Sequence, residues 1–354
     1  MTLRLTRYIA RQVAIGALMA LLVLMALDVV FEFIDQTGDV GQGSYTMGTA
    51  LVYVLLQTPG RAYEIFPVAN LVGALVALGA LAGRSELTAM RAAGMSVNAI
   101  ARAVVLAGVG LAVVAVGLGE WLAPHAARMA QDLRAHSVSE GAAGASEGAL
   151  WLRDGERYIH VGRVREEAVI EEVSVYTLAA GELERVLEAE RGRYDGTEWR
   201  LSEVEVTDFS DDGVVVRHAD ERRLRADLSP ELLGLLALSP EMLPLPELAR
   251  YIDYLERNAL ETARYRLAFW VKLATPLATV VMVLLTVPLV FRSQRRAGAG
   301  QQIVLGVLVG VAFMLLNRLL NNAGVIYGLP PALSALAPPL LFLVAGIVGL
   351  SRVR

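Results

Sequence analysis

The sequence predicts an α-helical membrane protein: six transmembrane helices, with one inserted all-β, jelly-roll-like domain between the third and the fourth. Three observations carry this prediction. Apolar runs fill both ends of the 354-residue chain, while its middle third is polar and charged. Six windows, roughly 12–34, 61–82, 101–123, 267–291, 301–322 and 331–351, each supply the ~20 apolar residues that a helix needs to cross a bilayer core of about 30 Å. Between the third and fourth windows, short segments alternate apolar and polar residues and are divided by turn dipeptides. The expected division is therefore 1–124 for the first three spans, 125–265 for the inserted domain and 266–354 for the last three.

The first window follows Arg4, Arg7 and Arg11. It is too long for a signal-peptide core and has no small-x-small cleavage site before Asp28, so it reads as a retained helix. Arginine placement sets the orientation. Arg4, Arg7 and Arg11 at the N-terminus, Arg84, Arg91 and Arg102 after span two, Arg292, Arg295 and Arg296 after span four, and Arg352 and Arg354 at the end all fall on one side if six helices alternate. That side is expected to be cytoplasmic, with both termini inside. The loop 35–60 and the segment 124–266 are then outside. Residues 125–264 hold 17 Arg against 29 Asp or Glu, a net of −12, while the rest of the chain is net +8.

Residues 125–140 read as a helix that continues the third span, and Gly141 to Gly148 as a small-residue linker. Strands are expected at Arg157–Val164, Val173–Leu178, Glu184–Arg193, Trp199–Phe209 and Val214–Ala219. The turn signals are Asp154-Gly155, Ala180-Gly181, Asp195-Gly196 and Asp212-Gly213. This spacing suits a sandwich or jelly-roll. Residues 229–265 read as helical or irregular, with helix starts at Ser229-Pro230 and Ser239-Pro240. A domain of this regularity is longer than a spacer needs, and the edges of its sheet suit a partner strand.

Between spans two and three, residues 84–94 predict a two-turn helix. Ser85 is placed to cap it, Glu86 sits in its first turn, and Gly94 ends it. Leu87, Met90 and Ala93 share a face at i, i+3, i+6. Two readings fit: an interfacial helix lying on lipid, or a coupling helix that offers an apolar knob and one carboxylate to a soluble partner.

Other chemistry is absent from the pattern. Cysteine is missing, so disulfides and thiolate metal sites are excluded. A phosphate-binding loop needs Gly-Lys, and the one lysine, Lys272, follows Val271. No histidine begins H-E-x-x-H. No catalytic, cofactor or metal site and no nucleic-acid partner are expected. The scarcity of lysine beside 31 arginines reads as codon usage. Asp28, Glu32, Glu64 and Glu120 near the outer surface have two readings: snorkelling groups at helix ends, or proton-relay groups worth the ~2.5–3.5 kcal/mol of insertion they cost. Arg61, Arg128, Arg134, Arg266, Lys272 and Arg318 lie at the same level, either as interfacial anchors or as a basic rim for an anionic head group. Gly79-x-x-x-Gly83 and Gly306-x-x-x-Gly310 permit close helix contacts.

A set of motifs in fixed order adds to this. It comprises Arg7-Tyr8-Ile9, Ile34-Asp35-Gln36, Gly41-Gln42-Gly43-Ser44-Tyr45, Pro67 with Leu71-Val72-Gly73-Ala74-Leu75, and Arg84-Ser85-Glu86-Leu87 with Met90 and Gly94. Gly119-Glu120-Trp121-Leu122-Ala123-Pro124, Leu150-Trp151 with Asp154-Gly155, and Tyr327-Gly328-Leu329-Pro330-Pro331 complete it. In these the chain resembles, over its whole length, the permease subunits of the lipopolysaccharide-export ABC transporter, the LptF/LptG (YjgP/YjgQ) family. The resemblance implies a bacterial inner-membrane protein paired with an LptF-like permease on an LptB-like cytoplasmic ATPase dimer, which binds the ATP and magnesium. It implies an LptC-like single-helix accessory subunit, lateral gates at spans one and five, and lipopolysaccharide drawn from the outer leaflet into periplasmic jelly-rolls and a bridge.

Residue by residue, Glu86 matches the family's coupling carboxylate, with Leu87, Met90 and Arg91 beside it. Arg134 matches a basic position of the substrate cavity. Glu32, Gly38, Asp39 and Gln131 depart from it, standing where some relatives carry basic residues, so either the phosphate contacts shift onto Arg61, Arg266 or Arg318, or the substrate's charge pattern differs. The implied function is a non-catalytic permease that passes lipopolysaccharide to a periplasmic bridge. A mechanotransmission permease that moves no lipid through its own cavity, and an intramembrane enzyme built on the acidic residues, are the alternatives.

Overall fold

The computed structural model describes residues 2–41, 43–139, 150–165, 169–179, 182–210, 213–225, 239–293 and 299–353. The predicted linker at 141–148, Ala180-Gly181 and Ser229-Pro230 lie outside the described residues. The elements in chain order are α1 (Thr2–Gln36), α2 (Met47–Gly83), α3 (Glu86–Ala92), α4 (Val97–Gly117), α5 (Ala123–Ser139), β1 (Leu150–Asp154), β2 (Arg157–Arg165), β3 (Val169–Ala179), β4 (Glu182–Tyr194), β5 (Trp199–Ser210), β6 (Gly213–Leu224), α6 (Leu245–Arg257), α7 (Ala263–Ser293), α8 (Ala299–Tyr327) and α9 (Pro331–Ser351). A π turn, Leu118–Leu122, joins α4 to α5. Residues 1–137, 240–248 and 263–354 form one compact unit, and 138–239 with 249–262 form the other.

In the first unit six helices are long and apolar enough to cross a membrane, as expected. They run further than the apolar windows. Helix α2 begins at Met47, so much of the expected loop 35–60 is helix. A hydrocarbon window marks only the part of a helix that lies in lipid, and polar ends of the same helix escape it. Pro59 and Pro67 sit inside α2. Beside them Thr58 Oγ1 donates to the Val54 carbonyl (3.0 Å) and Asn70 Nδ2 to that of Phe66 (2.8 Å).

Helices α2 and α7 bury most of their surface, while α1 and α8 bury little. Helix α2 packs against α1, α7 and α8, and α7 also packs against α4 and α9. With no hydrophobic drive between helices in lipid, small residues set the approach. A Cβ on Gly73 would strike the Gly16 backbone, so α1 and α2 touch main chain to main chain. Gly306 and Gly310 seat α8 on Val72, Leu75 and Val68 of α2, and Gly79 makes room for Gln302. Gly83 has open space, so the first glycine pair brings only Gly79 into contact.

The second unit carries a six-stranded antiparallel sheet in the order β1-β2-β3-β4-β5-β6. All five predicted strands are present. β1 joins them, missed because Leu152 alone of its five residues is buried. Asp195 closes the β4–β5 turn: its Oδ1 accepts from the Glu198 and Thr197 amides at 3.0 and 3.1 Å, which holds its carboxyl well below its ordinary value. From the end of α6, Tyr254 donates to the Arg153 carbonyl (3.0 Å), and Asn258 Oδ1 accepts from Gly155 N–H (3.0 Å).

The buried face is Ile159, Val161, Ile170, Val173, Val175, Leu187, Ala189, Trp199, Leu201, Val204 and Val206 with their neighbours. Its period-2 pattern slips by one residue after Ile170 in β3 and after Leu201 in β5. At both slips a glutamate takes a left-handed backbone, Glu172 at φ 57° and Glu203 at φ 54°. Non-glycine residues are uncommon there. Glu172, Glu190 and Glu203 occupy one row across β3, β4 and β5, between the pairs Glu171↔Arg191 and Val173↔Ala189 and between Arg191↔Ser202 and Ala189↔Val204.

A hydrogen bond with Glu190 holds the Glu203 carboxyl above its ordinary value. A raised carboxyl stabilises the fold below the unfolded carboxylate pKa, and that contribution is lost as pH rises through the raised value. Glu190→Gln is therefore expected to raise the melting temperature of the sheet at neutral pH and to change it little near pH ~4. Circular dichroism of the full chain in detergent checks this.

Candidate functional site

Two parts of the first unit gather the residues singled out in the sequence. The first is α3. Its C-terminus is a Schellman turn: Met95 N–H bonds to the Met90 carbonyl and Gly94 N–H to that of Arg91, both at 3.0 Å, with Gly94 at φ 89°. Gly94 thus ends the helix as expected, because a left-handed C′ position favours glycine. The expected cap at the other end is absent. Ser85 takes φ 59° and its side chain makes no capping bond. Its backbone is left-handed, which turns the hydroxyl away from the helix's free amides.

The apolar face of α3 also corrects the sequence reading. Leu87 and Met90 are buried and pack with Ile9, Val13, Leu78, Leu81 and Ile100. They anchor α3 to its own bundle and are not offered as a knob. The outward residues are Thr88, Ala89, Arg91 and Ala92, with Glu86 half-buried at the edge. Tyr8 Oη of α1 donates to Glu86 Oε2 at 2.8 Å. Arg91 lies over the Phe291 ring of α7, 5.7 Å from its centroid. Four helices, α1, α2, α4 and α7, therefore fix a short element that carries one oriented carboxylate.

The second part is the set of charges at the opposite ends of the helices. The six basic candidates are not one open rim. Arg61 of α2 is bound by Asp28 (3.6 Å) and Glu32 of α1. Arg128 of α5 clamps both oxygens of Glu247 on α6, at 2.5 and 2.6 Å. Arg134 pairs with Asp39 (3.0 Å), donates to Tyr53 Oη (3.3 Å) and stacks on the Tyr53 ring. The α1–α2 loop is tied to the same helix by Ser44 N–H donating to the Ser137 carbonyl at 2.8 Å. Arg266 is exposed but also engaged. Arg318 of α8 is exposed and has no ion pair or hydrogen bond among the described residues. Only fields reach it: Glu64, one turn along α2 from Arg61, sits in the charge of both Arg61 and Arg318.

Lys272 is the buried member, 4% exposed. Its Nζ donates to the Gly119 carbonyl at 2.7 Å and to Glu120 Oε1 at 3.1 Å, and it faces the Tyr63 ring. The second Glu120 oxygen accepts from Leu245 N–H at 2.8 Å, one of the unpaired amides of the α6 N-terminus. Gly119 is needed because a Cβ there would strike Tyr63. The π turn delivers both acceptors of this knot. Such turns re-aim backbone groups and recur at functional sites. Reading the single lysine as codon usage missed its role: an ammonium is a compact point charge, whereas a guanidinium is a wide fork.

Three of the four acidic candidates follow the same rule, Glu64 being the exception among the described residues. Asp28, Glu32 and Glu120 are ion-paired, so free snorkelling and an independent relay both give way to pairing. No cluster of carboxylates or histidines suited to a metal occurs among the described residues.

Residues 7–352 match the family model described as lipopolysaccharide export system permease LptF/LptG. Among similar proteins, the lipopolysaccharide export system permease protein LptG of Haemophilus influenzae is 34% identical, over 99% of both chains. The LptG protein of Escherichia coli K12 is 31% identical, over 98% of both.

Breaking a buried ion pair from one side costs about 3–5 kcal/mol. Lys272→Met is expected to lower the unfolding free energy in detergent by that amount, and Lys272→Met with Glu120→Met by less than the sum of the single changes. A double-mutant cycle by denaturant unfolding reads this coupling.

Proposed function

Since the chain belongs to the LptF/LptG family of lipopolysaccharide export permeases, we propose that it forms half of a two-permease cavity driven by an ATPase on the side of α3. It is a multi-pass inner-membrane protein, with both termini and α3 in the cytoplasm and residues 125–265 in the periplasm. The sister permease is LptF-like, the motor an LptB-like ATPase dimer that binds ATP and magnesium, and the accessory helix LptC-like. This chain holds no cofactor and carries out no covalent step.

One observation carries the reading: a seven-residue helix whose apolar side is fixed in its own core still leaves a polar surface and the oriented Glu86 carboxylate at its edge. A helix on lipid would turn Leu87 and Met90 to the acyl chains; a rigid lever for a soluble partner buries them. Movement of the ATPase then passes through α3 into α1 and α7, the helices that Glu86 and Arg91 engage. The inserted sheet, with β6 as an exposed edge, suits a lipid-carrying bridge.

At the far end, lipopolysaccharide phosphates meet Arg318 first, since it has no ion pair among the described residues. Phosphate binding at Arg61 or Arg134 then requires Asp28 with Glu32, or Asp39, to give way. The same pairing favours a second reading. If the carboxylates never release, the permease transmits motion to the periplasm and carries no lipid in its own cavity.

The motor contact is tested by copurification. Glu86→Ala is expected to reduce recovery of the ATPase on the tagged chain by at least about tenfold, in line with a hydrogen bond to a charged group. Tyr8→Phe, which frees the carboxylate without removing it, reduces recovery less. Unchanged association and unchanged export in Glu86→Ala would sink the proposal.

A further inference from the structure

Helices α4 and α9 both pack on α7 but make little contact with each other. A groove of about 460 Å³ opens between them, lined by Ala101, Val105, Leu106 and Val109 of α4, Leu284 of α7 and Leu350 of α9. Its size lies within the range of small-ligand sites, and its walls are apolar. Its polar end is formed by Asn98 and Arg102, one helical turn apart on α4. Arg102 is exposed and has no ion pair among the described residues, in contrast to most of the cations at the other ends of the helices. Arg352 follows two residues beyond Leu350 but does not line the groove, so Arg102 is the one cation in its lining.

We infer that this groove is a binding site for an anionic phospholipid, with one acyl chain along the α4–α9 cleft and the phosphate on Arg102 and Asn98. A lipid-facing cleft of this width lacks protein contacts that an acyl chain would supply. A lone arginine at its mouth selects a net negative head group over a zwitterionic one, as basic pockets between transmembrane helices do. The apolar depth and the single cation together favour a two-chain lipid over a free phosphate, which would gain nothing from Val105, Leu106 and Leu284. The site is separate from the α1 and α8 faces that the export reading uses. It rests on that reading only for naming the leaflet, the cytoplasmic one.

The test is native mass spectrometry of the full-length chain in detergent, with equal phosphatidylglycerol and phosphatidylcholine added. The wild type is expected to retain phosphatidylglycerol roughly fivefold over phosphatidylcholine, the ratio that one basic residue supplies. Arg102→Ala brings the ratio to about one. Leu106→Trp, a bulky change on an exposed groove wall, lowers retention of both lipids. Arg84→Ala, a basic residue that does not line the groove, leaves the ratio as in the wild type. Inorganic phosphate at millimolar concentration does not displace the lipid. No preference in the wild type, a preference that persists in Arg102→Ala, or displacement by phosphate alone would overturn the assignment. None of these outcomes depends on export activity, so failure here and failure of the export proposal are distinguishable.

Discussion

A charge carried into the bilayer is costly without a counter-charge, and much of the arrangement of this bundle follows from that. Water is not there to solvate an isolated carboxylate or guanidinium, and insertion of either is costly. Arg61 is held by two carboxylates one turn apart on α1; the pairing continues outside the bilayer, Arg134 with Asp39 and Arg128 with both oxygens of Glu247. Lys272 is the strongest case, because it is the most buried. It needs an ion partner and a carbonyl together, and the π turn after α4 supplies both. The same carboxylate closes the open amide of α6. A buried pair is not stabilising simply by being a pair; what this one fixes is the mutual position of α2, α4, α6 and α7.

Helix packing gives the bundle two kinds of surface. Helices α2 and α7 form its interior, with α1 seated on α2 by backbone contact at Gly16 and Gly73 and α8 seated by Gly306 and Gly310. Helices α1 and α8 keep large apolar faces open, among them Leu18, Leu22 and Phe31, and Leu308, Leu315 and Leu319. Those faces suit lipid and a sister subunit. Tight packing in the centre with loosely covered flanks suits a device in which the outer helices move against a fixed pair. The short helix α3 is bound to the fixed side and to α1, so force applied at Glu86 reaches both.

The sequence carried the spans, the insertion and five of the six strands through composition and period alone. The sixth, β1, was hidden because five residues with one buried leucine make no pattern. Strand phase was only partly legible: the slips at Glu172 and Glu203 depend on backbone turns that no residue type signals. On α3, the i, i+3 face was visible, but whether Leu87 and Met90 point to a partner or to their own core is a tertiary fact. Most of the charges were found, as two separate lists of acids and bases at one depth, but Glu247, the partner of Arg128, was in neither. Their pairing was not found, because Glu120 and Lys272 are 152 positions apart. Two opposite sets of charges at one membrane level are themselves a signal for pairing, and with it Arg318 would have stood out as the unmatched member.

We propose that the internal ion pairs leave Arg318 as the first contact for a lipopolysaccharide phosphate. Placing a photo-crosslinking residue at position 318 in the assembled transporter, with labelled lipopolysaccharide, tests it most directly. A crosslink is expected at 318 and none from the same residue placed at the buried position 272. Labelled lipid trapped at 272 but not at 318, or at neither while a bridge position still captures it, would contradict the account.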